Sequence, residues 1–434
     1  MADGRIDTTS TPVASRWEVG SNFALHRTTP DRTAVPAPAA PPYGELFGSG
    51  RQALRALVGF GRREYGWTAL HLPTYYCDEV VEAVADVLPV RRYPAGPTGG
   101  APPVAGPGEV VLLVSYFGEP PVVPAPAGAT LVVDATHDPR APWLPGFGAD
   151  YVFASLRKTM PLPDGGGLWS LTGRPLPAAG PPSARHLAVV DRVLAAMSLK
   201  AAYLAGAPLD KQRYLARYAA AEELLHRPVN GIIGISGISE FSRETLHALP
   251  VDRLRDRRIE NAALLAADLA GVPGLKVRAH PLGVVLECAS PERRETLRRG
   301  LIERSVYPAV LWRLAADPAS AASDPAGAAA DSAGSDPAAP DAVDEHVDYS
   351  RRMLFLHTDH RWGGSDMARV AELVRALHPD HGHPDHVHPD DDGHPDHGQP
   401  DDDGETGTLP GTGSSSPATP PTDGPVLVPR GETC

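Results

Sequence analysis

Lysine, cysteine and long apolar runs are what this sequence has least of. Four lysines, Lys158, Lys200, Lys211 and Lys276, stand among 40 basic residues in a chain of 434. Arginine therefore carries almost every positive charge. It cannot supply an amine of tunable pKa, so a position that keeps lysine is a place to look for chemistry. The three cysteines, Cys77, Cys288 and Cys434, are odd in number and far apart. No disulfide framework or zinc spacing is built from them, which suits a reducing compartment. No apolar stretch approaches ~18 residues, and the N-terminus lacks a basic start with an apolar run behind it. A soluble, cytoplasmic protein without a membrane partner is expected. The formal net charge of −13 argues against a nucleic-acid partner, whose phosphates call for a basic surface. The phosphate-loop, nucleophile-elbow and zincin motifs are missing too, so nucleotide triphosphatase, α/β-hydrolase and zincin readings have no residues to rest on.

What is present is an alternation of short apolar runs and helical patterns. Runs at 110–114, 131–133, 151–153 and 168–169 are bounded by Gly, Pro and Asp and read as buried strands. Helical spacing follows Gly48-Ser49-Gly50 and the Pro73 to Asp78 stretch, and recurs over 188–205, 211–226 and 253–269. A second set has strands at 284–287 and 353–356 and helices over 293–304 and 365–377. The pattern predicts an α/β fold: a large domain over 45–250, its mostly parallel sheet flanked by helices, and a smaller α+β domain over 251–377. Residues 1–44 read as an N-terminal arm. Residues 315–346 and 378–434 are rich in Ala, Asp, Pro, Ser and His. Ordering a chain costs ~1–2 kcal/mol per residue of backbone, which such segments cannot offset by burial, so a disordered insertion and a disordered tail are expected. The tail holds 7 of the 17 histidines; a solvated linker is the expected role, and no metal site is assigned to it.

Lys158 differs from the other lysines in context. It follows a buried strand in Tyr151-Val-Phe-Ala-Ser155-Leu-Arg-Lys158, and Gly165-Gly-Gly167 comes next, which places it at the carboxyl edge of a sheet where ligands bind. Lys200 and Lys211 read as ordinary surface residues. Asp134 ends another strand in Leu131-Val-Val-Asp134-Ala-Thr-His137; it suits a partner for a protonated pyridine nitrogen, or a helix cap. His137 suits a donor to a phenolate oxygen, or a turn residue. Gly48-Ser49-Gly50-Arg51 opens a helix whose N–H groups suit a phosphate. The same glycines fit a dinucleotide fingerprint, but the strand which that fingerprint requires before it is missing.

In this order, phosphate turn, aromatic pair Tyr75-Tyr76, strand-end Asp with His three later, then Ser-x-x-Lys and a glycine turn, the chain resembles the DegT/StrS-type aminotransferases of pyridoxal-phosphate fold type I. Phe47-Gly-Ser-Gly-Arg-Gln-Ala-Leu54 is similar to that family's phosphate turn, with Arg51 where Thr is usual. Val132-Val-Asp134-Ala-Thr-His137 is similar to its Glu-Asp-Ala-Ala-Gln. Ser155 and Lys158 are closer together than the family's Ser and Lys. The resemblance runs from about Trp17 to Leu377 without the insertion. It implies pyridoxal 5′-phosphate as cofactor, Lys158 as its Schiff-base lysine and Asp134 as the pyridine partner. It further implies His137 on the ring oxygen, Tyr76 stacked on the ring, and Gly50, Arg51 and Ser155 on the phosphate. A homodimer is implied, with Asn230 reaching the partner's cofactor or serving as a turn residue before Gly231. Trp312 and Arg361 are candidate substrate contacts. The activity implied is amino transfer from an amino-acid donor to a keto acceptor such as a keto sugar. Another pyridoxal-phosphate reaction (elimination, dehydration or replacement) and a non-catalytic dimeric relative are the alternatives.

Overall fold

The computed structural model describes residues 15–25, 43–226, 234–314 and 340–378. Six short runs build one sheet: β3 (Ala69–Pro73), β4 (Val90–Tyr93), β7 (Glu109–Val114), β8 (Thr130–Asp134), β9 (Tyr151–Ser155) and β10 (Gly166–Ser170). Their spatial order is β10-β9-β8-β7-β3-β4. All neighbours are parallel except β10 and β9. Parallel strands covered on both faces need apolar side chains on both. Along β7, Val110, Leu112 and Val114 enter one buried cluster and Val111 and Leu113 the other, the two-residue period of a strand.

Helix α1 (Gly50–Glu64) covers the first face with Leu54, Leu57 and Val58. Its N-cap is Ser49, whose hydroxyl accepts from the Gln52 amide. The second face is closed by Leu246 and Leu249, at and beyond the end of α5 (Glu240–Ala248). The short strand β2 (Glu45–Phe47) and helix α2 (Asp78–Glu82) flank these layers, and β5 (Ala95–Gly96) pairs with β6 (Gly99–Gly100) as a separate ribbon. Two long helices, α3 (Ala184–Leu204) and α4 (Lys211–His226), share a third cluster through Val189, Val193, Met197, Tyr214 and Tyr218. Beyond α6 (Val251–Asp268) lies an antiparallel sheet of β11 (Leu275–Ala279), β12 (Gly283–Cys288) and β14 (Met353–His357). Leu265 of α6, Leu297 of α7 (Pro291–Glu303) and Val370 of α9 (Gly364–Leu377) pack with Val285 and Phe355 of this sheet, in the same cluster as α1. One apolar body therefore joins the two sheets.

Three features differ from the sequence reading. Residues 15–25, expected in a loose arm, are packed: β1 (Val19–Gly20) pairs with β13 (Val306–Tyr307), and Val19 is fully covered. Trp17 adds a side-chain bond to Asp366, 2.8 Å. Residues 340–346, expected within a disordered insertion, are helical, because α8 covers Pro340–Arg352. His346, Val347 and Tyr349 are buried, which offsets the polar composition before them. Lys200 is completely buried rather than on the surface. It bonds to Glu18 at 2.7 Å and to the Asn22 carbonyl. Burial lowers its pKa to about 8. Asn230, most of the insertion and the tail beyond His378 lie outside the described residues.

Candidate active site

Four strands of the main sheet end at one edge, and a cavity of about 160 Å³ lies there. Asp134 is the last residue of β8, held in register opposite Val114 of β7. Its carboxyl group is buried. One oxygen accepts the Thr136 amide at 2.9 Å, and the other accepts the Tyr76 hydroxyl at 2.5 Å. Burial pushes this carboxyl group up in pKa, and the bonds from Thr136 and Tyr76 pull against that.

His137 follows in a turn pinned by Asp138, which is fully buried and bonded to Arg255 at 2.8 Å and Arg258 at 3.4 Å. The His137 Nδ1 accepts the Phe117 amide at 2.9 Å. Burial, with Lys158 and Arg258 adding positive charge, lowers the His137 pKa to about 3. A neutral ring that accepts at Nδ1 carries its proton at Nε2. His137 is therefore a fixed donor on the cavity wall. Its ring lies nearly parallel to Phe117 and to Trp312, with centroids 6.0 and 5.8 Å away.

At the other end of the cavity, the N-terminus of α1 meets the end of β9. A Cβ on Gly50 would lie 3.0 Å from the Ser155 amide nitrogen and 3.1 Å from its Cβ. One on Gly166 would lie 2.2 Å from the Ser49 carbonyl oxygen. Only glycine lets the helix start approach this closely. The arrangement is braced by Asp164, which accepts from His186 at 2.8 Å, from the Ser239 amide at 2.8 Å and hydroxyl at 2.6 Å, and from Ser242. Arg51 faces the cavity and is 8% exposed. Burial and the nearby Arg157 bring its pKa down to about 10, which leaves it charged at neutral pH. Arg157 itself is paired through both terminal nitrogens with Glu222 of α4. Lys158 closes the 3-10 turn Leu156–Lys158 directly after Ser155 and lines the same cavity.

Of the candidates read from the sequence, Gly50, Arg51, Tyr76, Asp134, His137, Ser155, Lys158, Trp312 and Arg361 all line this cavity. Two do so in unexpected ways. Tyr76, read as a stacking ring, points its hydroxyl at Asp134 and sets its ring edge-on to Trp312 at 5.5 Å and 84°. Arg361, read as a substrate contact, already has bidentate bonds to Asp359 (2.8 Å each) and bonds to the carbonyls of Asn22 (3.0 Å) and Ser21 (3.1 Å). Its guanidinium is also stacked between Phe23 and Trp362, 4.3 Å from each. The sequence reading missed Thr136, Glu222 and the Ser21 to Phe23 wall. Thr136 stands between Asp134 and His137, where a threonine reads equally as an ordinary turn residue. The wall had no signal, because its carbonyls are what the neighbours hold. Among the described residues, no group of three or more His, Cys, Asp or Glu is arranged for a metal ion, and no helix is long and apolar enough to cross a membrane.

By sequence, no family model and no curated protein matches this chain. Among solved structures it is similar to the sugar aminotransferase CalS13 from Micromonospora echinospora, at 15% identity over 76% of this chain and 86% of that one, TM-score 0.46. It is also similar to the aminotransferase TlmJ from Streptoalloteichus hindustanus, at 17% identity over 77% and 85%, TM-score 0.46. A third is Spr1654 from Streptococcus pneumoniae in a PLP form, at 10% identity over 77% and 86%, TM-score 0.44. At these values the likeness concerns the general course of the chain and transfers no residue role.

Proposed function

We propose that this chain is a pyridoxal-phosphate-dependent transferase, and that its reaction is amino transfer from an amino-acid donor to a keto acceptor. The observation that carries the reading is the meeting of a buried strand-end carboxylate, Asp134, with Lys158 in one cavity whose other end is a glycine-built helix start. The cofactor's donor and acceptor demands fit these residues. Its phosphate suits the α1 N-terminus with Arg51 and Ser155, where first-turn amides and a guanidinium converge. Its ring nitrogen suits Asp134, and its ring oxygen suits the Nε2–H of His137. When bound, pyridoxal phosphate supplies an electron-accepting ring that stabilises negative charge at the substrate carbon.

The protein's own part is to hold, orient and move protons. Lys158 would move a proton between the substrate carbon and the cofactor carbon that carries the amino group, in one direction for the donor and in the other for the acceptor. Asp134 would hold the ring nitrogen through its carboxylate and supply the negative charge that the nitrogen's proton calls for. His137, neutral and fixed as a donor, orients the ring oxygen without titrating near neutral pH. Trp312 and His137 form one aromatic wall, and Ser21, Asn22 and Phe23 another boundary that limits water. Because Arg361 is engaged by Asp359 and two carbonyls, a substrate carboxylate finds at most one of its five donors open.

Adding pyridoxal phosphate to the purified chain tests this. An absorbance band near the visible edge is expected in the wild type and not in Lys158→Ala. Amino donors should then bleach the band and leave the amino group on the cofactor. A wild-type protein with no band contradicts the cofactor reading, and a band that no amino donor changes contradicts the transfer reading.

A further inference from the structure

Tyr76 has more constraints on it than a cavity-lining aromatic needs. The segment after β3 that carries it is tied on several sides: the Tyr75 amide bonds to Ala95 O at 3.1 Å, the Tyr75 carbonyl accepts Tyr116 Oη at 2.7 Å, and Tyr75 Oη donates to the Leu311 carbonyl. Tyr76 itself is 1% exposed, and its hydroxyl reaches across the end of β7 to the far oxygen of Asp134. A carboxylate offers about four acceptor positions. The Thr136 amide takes one on Oδ1, Tyr76 takes one on Oδ2, and the Thr136 hydroxyl takes a third, which leaves one for a ligand.

We propose that Tyr76 is a positioning residue: its hydroxyl fixes Asp134 so that the remaining acceptor position of the carboxylate serves a cationic ring nitrogen in the cavity. What the carboxylate serves rests on the function proposed above; that Tyr76 governs it does not. Burial drives the Tyr76 phenol well above its ordinary range, so it stays protonated and can only donate. The bond it gives opposes the burial that favours a neutral Asp134. The other titratable groups around the pair are Tyr116 from the end of β7, Arg92 from β4, and His137 and Lys158 from the turns after β8 and β9. His137 is neutral, and Tyr116 is driven up by burial as Tyr76 is, so neither changes charge over the range used below.

The test is an infrared pH titration of the cofactor-free protein, in which the band of protonated Asp134 is identified by its loss in Asp134→Asn. Tyr76→Phe keeps the ring and removes only the donor. Its Asp134 midpoint should rise by about one pH unit, the size expected for one hydrogen bond to a charged group. A second arm places 3-fluorotyrosine at position 76 alone, a stronger donor of nearly the same size, and should lower the midpoint. An unmoved midpoint in both arms overturns the proposal. With pyridoxal phosphate as probe, the binding loss in Tyr76→Phe should grow to about tenfold as pH falls through the Asp134 midpoints, while for Asp134→Asn the loss should shrink as pH falls through the wild-type midpoint, since the wild type then loses the carboxylate too. A pH-independent loss in Tyr76→Phe also overturns the proposal, since it marks a merely structural role. If the wild type binds no pyridoxal phosphate, the proposed function fails while the infrared titration still decides the role of Tyr76.

Discussion

His137 takes its tautomer from a main-chain amide. The Phe117 N–H occupies Nδ1, and the low pKa set by burial and nearby cations removes the charge. His137→Gln keeps a donor and should retain the cofactor, while His137→Ala should weaken it about tenfold, one charge-assisted bond. Equilibrium dialysis from pH 5 to 9 should find no step in wild-type affinity that disappears in His137→Gln. Asp359 carries a different pH signature. Burial pushes its carboxyl up, but the bonded Arg361 more than offsets this and holds it at about 2, against an ordinary 3.8. A carboxylate whose folded pKa is depressed contributes stability above the unfolded value and loses it as pH falls through the folded one. About 2 kcal/mol should therefore disappear between roughly pH 4 and pH 2. Urea unfolding at stepped pH should show this slope in the wild type and not in Asp359→Asn.

Helix α1 and the glycine turn before β10 are joined by the Gly165 amide, which bonds to the Gly48 carbonyl at 2.9 Å, and Asp164 ties the turn to α3 and α5. Burial opposes the Asp164 charge, but bonds from His186, Ser239 and Ser242 outweigh it and hold the carboxyl group below its usual range. Asp164→Ala leaves those donors buried and unpaired. It should cost about 3 kcal/mol or more in urea unfolding, and loosen cofactor retention. Gly50→Ala should cost about 1–3 kcal/mol through overpacking and weaken phosphate retention, since the new Cβ separates α1 from Ser155; urea unfolding and dialysis against cofactor-free buffer measure the two effects. The strands around this element were legible because each is a short apolar run with a polar residue at its end, and Asp134, Ser155 and Lys158 sit at those ends. Helix α8 was not, since its Asp- and Ala-rich start masks the buried His346, Val347 and Tyr349. Tyr76 was legible as a cavity residue but not as a partner of Asp134, because only the strand order brings them together. The Ser21 to Phe23 wall is held by its carbonyls, which every sequence has.

Over the whole molecule, charge and chemistry lie in different parts of the chain. Residues 315–346 and 378–434 hold 19 of the 53 acidic and 1 of the 40 basic residues, so the remainder carries about +5 instead of −13. A mildly basic body suits phosphate- or carboxylate-bearing ligands. A chain ending after His378, which closes α9 and bonds to the Pro273 carbonyl at 3.0 Å, should keep the cofactor and its melting temperature within a few degrees. A large drop would mean that the tail takes part in the fold. The most direct measurement of the central claim is reductive trapping. Full-length protein is incubated with pyridoxal phosphate, reduced with borohydride, digested, and mapped by mass spectrometry. A phosphopyridoxyl group confined to Lys158, and abolished by pre-incubation with a reactive amino donor, is the predicted result. Labelling spread over Lys200, Lys211 and Lys276, or its absence from Lys158, would contradict the account.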